Sequence, residues 1–140
     1  MIIKSFEVER KISKLIENNL FLMYGENNGL KKDIRSIVKH FLEKKNNELE
    51  VISIYENDIL ANEESFYNSI YSGSLFSNKK IITINDGTDK IAKIIEDITD
   101  KKIENVFILI FSGILDRKSK LRSLFEKHPG VICVPCYLDN

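Results

Sequence analysis

Six apolar residues in a row, Val106-Phe107-Ile108-Leu109-Ile110-Phe111, constrain this chain more than any other feature. A strand points successive side chains to opposite faces, so an unbroken apolar run leaves no face for water. Such a strand belongs inside a parallel sheet covered by helices on both sides. The flanking segments supply helical patterns. Upstream, Ile91, Ile94, Ile95 and Ile98 follow Thr88 or Asp89 as a helix cap. Downstream, Leu121, Leu124 and Phe125 follow Asp116 as a cap.

The alternation continues over the whole chain. Val8, Ile12, Leu15 and Ile16 mark a helix within residues 5–18, with Ser5 as its cap and Glu7 and Glu9 at the positive end of its dipole. Leu20 to Tyr24 is a short apolar strand ended by Gly25. Leu30, Ile34, Ile37, Val38, Phe41 and Leu42 repeat a helical spacing. Leu49 to Ile54 reads as a strand. A helix from about Ala61 to Ser72 carries one stripe of Phe66 and Ile70 and another of Tyr67 and Tyr71. Lys80 to Ile84 is the next strand. The punctuation Pro129-Gly130 precedes a last strand, Val131 to Val134. Strand followed by helix, repeated, predicts an α/β fold of three layers: a parallel five-stranded sheet with helices on both faces and right-handed crossovers.

At 140 residues the chain is the size of one domain, expected to span 1–140. Lys plus Arg and Asp plus Glu both number 21, so the formal charge is zero. That balance does not favour a mainly electrostatic grip on DNA or a membrane. The N-terminus shows no signal pattern and no apolar run approaches membrane-spanning length, so the expected location is cytoplasmic.

Parallel α/β folds bind ligands at the C-terminal ends of their strands. The loops there start at Gly25, Tyr55, Asn85, Ser112 and Pro135. Gly25-Glu26-Asn27-Asn28-Gly29-Leu30-Lys31-Lys32 occupies the place of a phosphate loop. That loop requires G-x-x-x-x-G-K-[ST], because its amides cradle phosphates, its Lys meets the β/γ oxygens and its Ser/Thr holds Mg²⁺. Here the glycines stand one residue too close and no Gly-Lys-Ser/Thr step exists. Glu26 adds negative charge, and Lys31 or Lys32 replaces the missing Lys only loosely. Asn85-Asp86 stands where an acidic Mg²⁺-binding pair is needed, and Asp86 beside Gly87 suits a turn. A divergent P-loop-like nucleotide-binding domain or NTPase is the alternative that this loop keeps open. A receiver domain is disfavoured, since Asp86 and Asp116 do not supply its acidic set.

Other chemistry is thin. Cys133-Val134-Pro135-Cys136 has redox or half-zinc spacing, but no helix can be argued from Tyr137 to Asn140, and only His40 and His128 remain as further ligands. The two cysteines are better read as small apolar residues of the last strand. His40 and His128 read as surface or helix-end residues. Glu56, Asp58, Glu63 and Glu64 read as a solvated, helix-capping group. Arg117, Lys118, Lys120 and Arg122 form the one basic cluster, either a solvated helix face or a contact for a phosphate backbone or acidic partner. No catalytic residue, metal or cofactor is expected.

One feature departs from ordinary loop composition. In Tyr71-Ser72-Gly73-Ser74-Leu75-Phe76-Ser77-Asn78-Lys79-Lys80, Gly73 stops a helix and a strand begins near Lys80, so Leu75 and Phe76 share a short connection. Such a pair either folds back over the core edge or anchors in another protein's pocket. Lys79 and Lys80 either assist that contact or keep an edge soluble.

With "YGENN" after the first strand, "GSLFSNKKIITI" and "ILIFSGILDRKSKL", the chain resembles the N-terminal domain of the delta subunit of bacterial DNA polymerase III, a part of the sliding-clamp loader. The resemblance covers essentially all of the chain. It implies a degenerate AAA+ module with a five-stranded parallel sheet and a ruined phosphate loop. It implies DNA replication as the process, inside a holoenzyme whose DNA-polymerising activity lies in other subunits. The implied partners are the ring-shaped beta clamp and the other loader subunits, with DNA touched only indirectly or weakly and no membrane. Leu75 and Phe76 match a family Leu-Phe plug that enters an apolar clamp pocket, and Tyr71, Ser74 and Ser77 are expected to flank it. Ser72 and Gly73 stand where clamp-binding peptides carry Gln and Leu, so the peptide match is partial. The family protein also has lid and collar domains, which are expected to be absent here.

Overall fold

The computed structural model describes residues 1–45, 48–71, 79–101 and 103–138. Among the described residues five strands form one sheet: β1 (Leu20–Tyr24), β2 (Glu50–Tyr55), β3 (Lys80–Asn85), β4 (Val106–Phe111) and β5 (Ile132–Pro135). All pairings are parallel and the order is β2-β3-β4-β1-β5. The apolar run at 106–111 takes the central position, with Leu20 opposite Ile108 on one side and Ile82 opposite Ile108 on the other.

Helices α1 (Val8–Leu15) and α2 (Asn28–Lys45) cover one face. There Ile12, Leu15, Ile34, Val38 and Leu42 pack on Phe21, Met23, Ile81 and Leu109. Helices α3 (Glu56–Ala61), α4 (Glu63–Tyr71), α5 (Ala92–Thr99) and α6 (Lys120–Lys127) hold the other face. There Ile59, Phe66, Ile95, Leu121 and Phe125 pack on Leu22, Ile84, Ile108 and Ile110. The three-layer α/β expectation is met, and the fold is stabilised by two continuous apolar interfaces.

Several local expectations are corrected. Ser5 does not cap α1: residues Ser5–Glu7 form a 3₁₀ turn, with Lys4 at the cap position and no side-chain bond. The helix itself ends at Leu15, short of Asn18. Asp116 does not cap α6. Its Oδ1 accepts from the Lys118 amide at 2.8 Å, closing a local turn. Ser119, adjacent to Lys120 and extended in backbone, accepts from the Arg122 amide at 3.1 Å and is the cap. A short helix, α3, follows β2 directly where the sequence suggested a loop; Asp58 accepts from the Tyr55 amide at its start.

The sheet edges differ. At β5, Met1 to Ile3 run parallel to Cys133, with the Ile3 amide donating to the Cys133 carbonyl at 2.8 Å. At β2, the alternate residues Val51 and Tyr55 are exposed.

Candidate functional site

The C-terminal ends of β1, β3 and β4 surround a polar cleft of about 560 Å³, with Gly25, Glu26, Lys31, Asp86 and Ser112 in its wall. Gly25 has φ +121°, and a Cβ there would lie 2.2 Å from the Cys136 carbonyl oxygen. Glycine is therefore required for close backbone approach. The Gly25 amide donates to the Gly113 carbonyl at 2.9 Å and the Asn27 amide to the Cys136 carbonyl at 3.0 Å.

Helix α2 starts from this loop, and the amides of Asn28, Leu30 and Lys31 at its start already have partners. The Leu30 amide donates to Asn27 Oδ1 at 3.0 Å and the Lys31 amide to the Asn27 carbonyl at 3.2 Å. A phosphate would need these amides free. Lys31 is buried, and its ammonium donates to the Ser112 carbonyl at 2.6 Å and to Asn28 Oδ1 at 3.2 Å. Burial lowers its pKa, opposed by the charges of Cys136, Asp86 and Glu26. A Cβ on Gly29 would meet nothing closer than Asn27 Oδ1 at 3.7 Å, so space does not require glycine there. The loop is thus built to hold the protein's own groups, and Glu26 and Asp86 bring negative charge to the cleft. Asp86 has φ +57° at a bend after β3, and the Gly87 amide donates across to the Phe111 carbonyl at 2.9 Å.

Glu56 is not part of a solvated acidic group. It is buried and accepts from the Thr88 amide at 2.6 Å and the Thr88 hydroxyl at 2.7 Å. It ties the end of β2 to the loop after β3. Nothing in the local sequence marks it, because Thr88 lies on a different strand-to-helix connection.

Ser74, Leu75, Phe76 and Ser77 lie outside the described residues. Their described neighbours are at the end of α4 and the start of β3. The Tyr67 and Tyr71 rings stack with centroids 6.2 Å apart and planes at 7°. The Lys101 ammonium lies 5.4 Å from the Tyr71 ring, and the Tyr67 hydroxyl donates to Asp97 at 3.4 Å. Burial, then the Asp97 charge, raises both phenol pKa values. Lys79 lies over the Phe107 ring and Lys80 donates to the Ser69 carbonyl at 3.2 Å, so both lysines have local structural partners.

The basic cluster divides. Arg122 turns inward: its Nε donates to Glu126 at 3.2 Å, its Nη1 to the Leu115 carbonyl at 2.8 Å, and its guanidinium lies 5.0 Å from the Tyr24 ring centroid. Tyr24 in turn accepts from the Tyr137 hydroxyl at 3.1 Å. Arg117, Lys118 and Lys120 stay exposed. They line a cleft of about 890 Å³ between α5 and α6, where Lys90, Lys93 and Lys127 join them. Lys90 and Lys93 were invisible as partners of Arg117 and Lys118 in the sequence, more than about twenty residues away.

The cysteines are apolar core residues. Both are buried and free, and burial pushes the Cys133 thiol up to about 12 and the Cys136 thiol up to about 11. Thiols so raised are poor nucleophiles and poor metal ligands at neutral pH. Among the described residues no three His, Cys, Asp or Glu side chains cluster as metal ligands. His40 is exposed, and His128 Nδ1 accepts from the Gly130 amide at 2.9 Å, a helix-end role. Among the described residues no helix is long and apolar enough to cross a membrane.

The model of the family described as DNA polymerase III, delta subunit, matches residues 21–134. In structure, the fold is similar to the Bacillus subtilis DNA clamp loader delta protein, with a TM-score of 0.65 and 13% sequence identity. The similarity covers 97% of this chain and 43% of that one, so the chain spans less than half the length of this relative. A search of curated proteins finds no match.

Proposed function

The chain belongs to the DNA polymerase III delta subunit family, and we propose that it acts in DNA replication as the clamp-binding part of a clamp-loader delta subunit in the cytoplasm. Leu75 and Phe76 enter an apolar pocket of the ring-shaped beta clamp, flanked by Tyr71, Ser74 and Ser77. The domain hydrolyses no ATP itself. Lid and collar domains of the longer family protein join it to the other loader subunits.

One observation carries this reading: the loop at the nucleotide position is filled by the protein's own contacts, with Lys31 bonded to the Ser112 carbonyl and α2 capped by Asn27. A family fold relieved of phosphate binding is left with recognition as its work. Ring opening then needs no chemistry in this domain. A subunit that binds the open ring better than the closed one shifts that equilibrium by its differential affinity.

Burying one Leu and one Phe supplies about 1.5–3 kcal/mol each, whereas nanomolar affinity needs about 12 kcal/mol. The pair acts as a hot spot within a larger surface. The test is binding to the sliding clamp of the same organism, measured for the wild type and for Leu75→Ala/Phe76→Ala, with circular dichroism to show that the variant stays folded. Loss of at least about a hundredfold in affinity is expected, the equivalent of roughly 3 kcal/mol. Unchanged clamp binding in the folded variant would remove the plug from the proposal.

A further inference from the structure

We propose that the outer edge of β2 and the apolar pocket beside it bind an extended peptide segment of another protein. The segment adds as a further strand and carries an apolar residue with a basic residue two positions to either side. The two edges of the sheet differ. Met1 to Ile3 run along β5. Among the described residues nothing pairs with the outer side of β2, which is last in the strand order. The Glu50 amide donates to the Lys79 carbonyl at 3.0 Å. In a parallel ladder alternate residues turn their N–H and C=O groups to opposite sides, so Glu50, Ile52 and Ile54 bond to β3. The amides and carbonyls of Val51 and Ser53 therefore face outward, while the Tyr55 amide is met by Asp58 at 3.4 Å. The strand has neither Pro nor Lys, the residues that commonly guard an edge against pairing.

The side chains beside this edge set the chemistry of the partner. Glu50, Ile52 and Ile54 share the face turned to α3 and α4, where Ile52, Ile54, Ile59, Phe66 and Ile82 line an apolar pocket of about 230 Å³. A residue seated there has its same-face neighbours two positions away on each side, about 13 Å from one another. Glu50 stands at one end of this row and Asp58 lines the pocket past the other; both are exposed. Among the described residues the Glu50 carboxylate has no ion pair or hydrogen bond, since Lys80 beside it on β3 donates to the Ser69 carbonyl. No Lys, Arg or His lines the pocket. Acid at both ends of an apolar pocket selects basic residues at the two flanking positions. Main-chain bonds then give affinity and the pocket gives specificity. A second copy of this chain is a poor occupant: antiparallel pairing about Ser53 sets Glu50 against Glu56, and like charges placed opposite one another disfavour it.

The experiment uses the intact protein and a fluorescently labelled peptide, Thr-Lys-Thr-Ile-Thr-Lys-Thr, with anisotropy measured at low salt. Saturable binding is expected. It should weaken at least about tenfold when the peptide's lysines become glutamates, or when its internal amides are N-methylated, which removes the donors of an added strand. Val51→Pro deletes an outward amide and leaves the bonds to β3 in place, a substitution that edge strands accept. Its binding should fall at least about tenfold, with thermal unfolding showing an intact fold. Glu50→Lys should weaken binding of the lysine peptide at least about threefold and tighten that of the glutamate peptide, a reversal that damage to the fold does not produce. Lys14→Glu, on α1, should bind like the wild type. Peptide binding is read without the clamp, so its outcome stands apart from that of the Leu75–Phe76 plug. Absence of binding to the wild type overturns the proposal. Equal affinity for the N-methylated peptide also overturns it, since charge alone would then hold the peptide. So does a dimer in sedimentation that Val51→Pro dissolves, which gives the edge to a second copy.

Discussion

The Lys31 ammonium and the Ser112 carbonyl oxygen are 2.6 Å apart, joining the first turn of α2 to the end of β4. A lysine close to the position of a phosphate-binding lysine is used here to close the loop on the protein's own backbone. Lys31→Met keeps the stem and deletes the charge, so the Ser112 carbonyl loses its donor in a buried place. A charged hydrogen bond of this kind contributes about 1.5–3 kcal/mol, and a fall in unfolding free energy of that size is expected in chemical denaturation. Calorimetric titration with Mg-ATP should be flat for wild type and variant alike. Saturable heat in the wild type that vanishes in Lys31→Met would restore the nucleotide-binding alternative.

The two loop glycines should respond in opposite ways. Gly25→Ala places a Cβ 2.2 Å from the Cys136 carbonyl at a left-handed φ, and neither strand end can retreat without breaking the sheet. A loss of more than about 3 kcal/mol, or failure to fold, is expected. Gly29→Ala has space at 3.7 Å and lies in the first turn of α2, so it should stabilise by about 0.5–1 kcal/mol. Thermal unfolding of both variants checks this; a damaging Gly29→Ala would show that the loop needs that glycine for more than helix formation.

Glu56→Gln tests the buried tie to Thr88. A carboxylate accepts from both the amide and the hydroxyl, whereas the amide side chain offers one acceptor and one donor. Loss of about 1–3 kcal/mol is expected, with hydrogen exchange speeding first at the Thr88 amide. An unchanged exchange rate there would contradict the role given to Glu56.

The cysteines set a pH dependence with a defined sign. Burial holds Cys133 up at about 12 and Cys136 at about 11, against 9.0 for an ordinary thiol. The unfolded chain therefore loses its thiol protons first. Their contribution to stability is complete below about pH 9 and is lost as the pH rises from there towards 11 and 12. Cys133→Ala/Cys136→Ala should flatten the decline in unfolding free energy above pH 9 relative to wild type. At neutral pH the native protein should resist thiol reagents until unfolded. Rapid labelling of either cysteine under native conditions would contradict the buried placement.

Local pattern carried most of the architecture. The two-residue and 3.6-residue periods report which faces are buried, and they do so from residues a few positions apart. Hence all five strands, the long helix α2 and the core faces of Phe66, Ile95 and Phe125 were legible, as was the spoiled phosphate loop at Gly25 to Lys32. Helix ends were less so, because Ser119 and Asp116 are chemically equivalent candidates and only backbone geometry separates them.

Residue pattern therefore accounts for the α/β class, the buried central strand and the absence of a phosphate-loop pattern. The tertiary structure alone decided the strand order β2-β3-β4-β1-β5, the pairing of Met1–Ile3 with β5, the burial of Glu56 on Thr88, the inward turn of Arg122 onto Tyr24, and the meeting of Lys90 and Lys93 with Arg117 and Lys118. Each of these joins residues more than about twenty positions apart, or orders whole strands. Such neighbours are chosen by how helices pack on a shared sheet, and no local propensity or period encodes that choice.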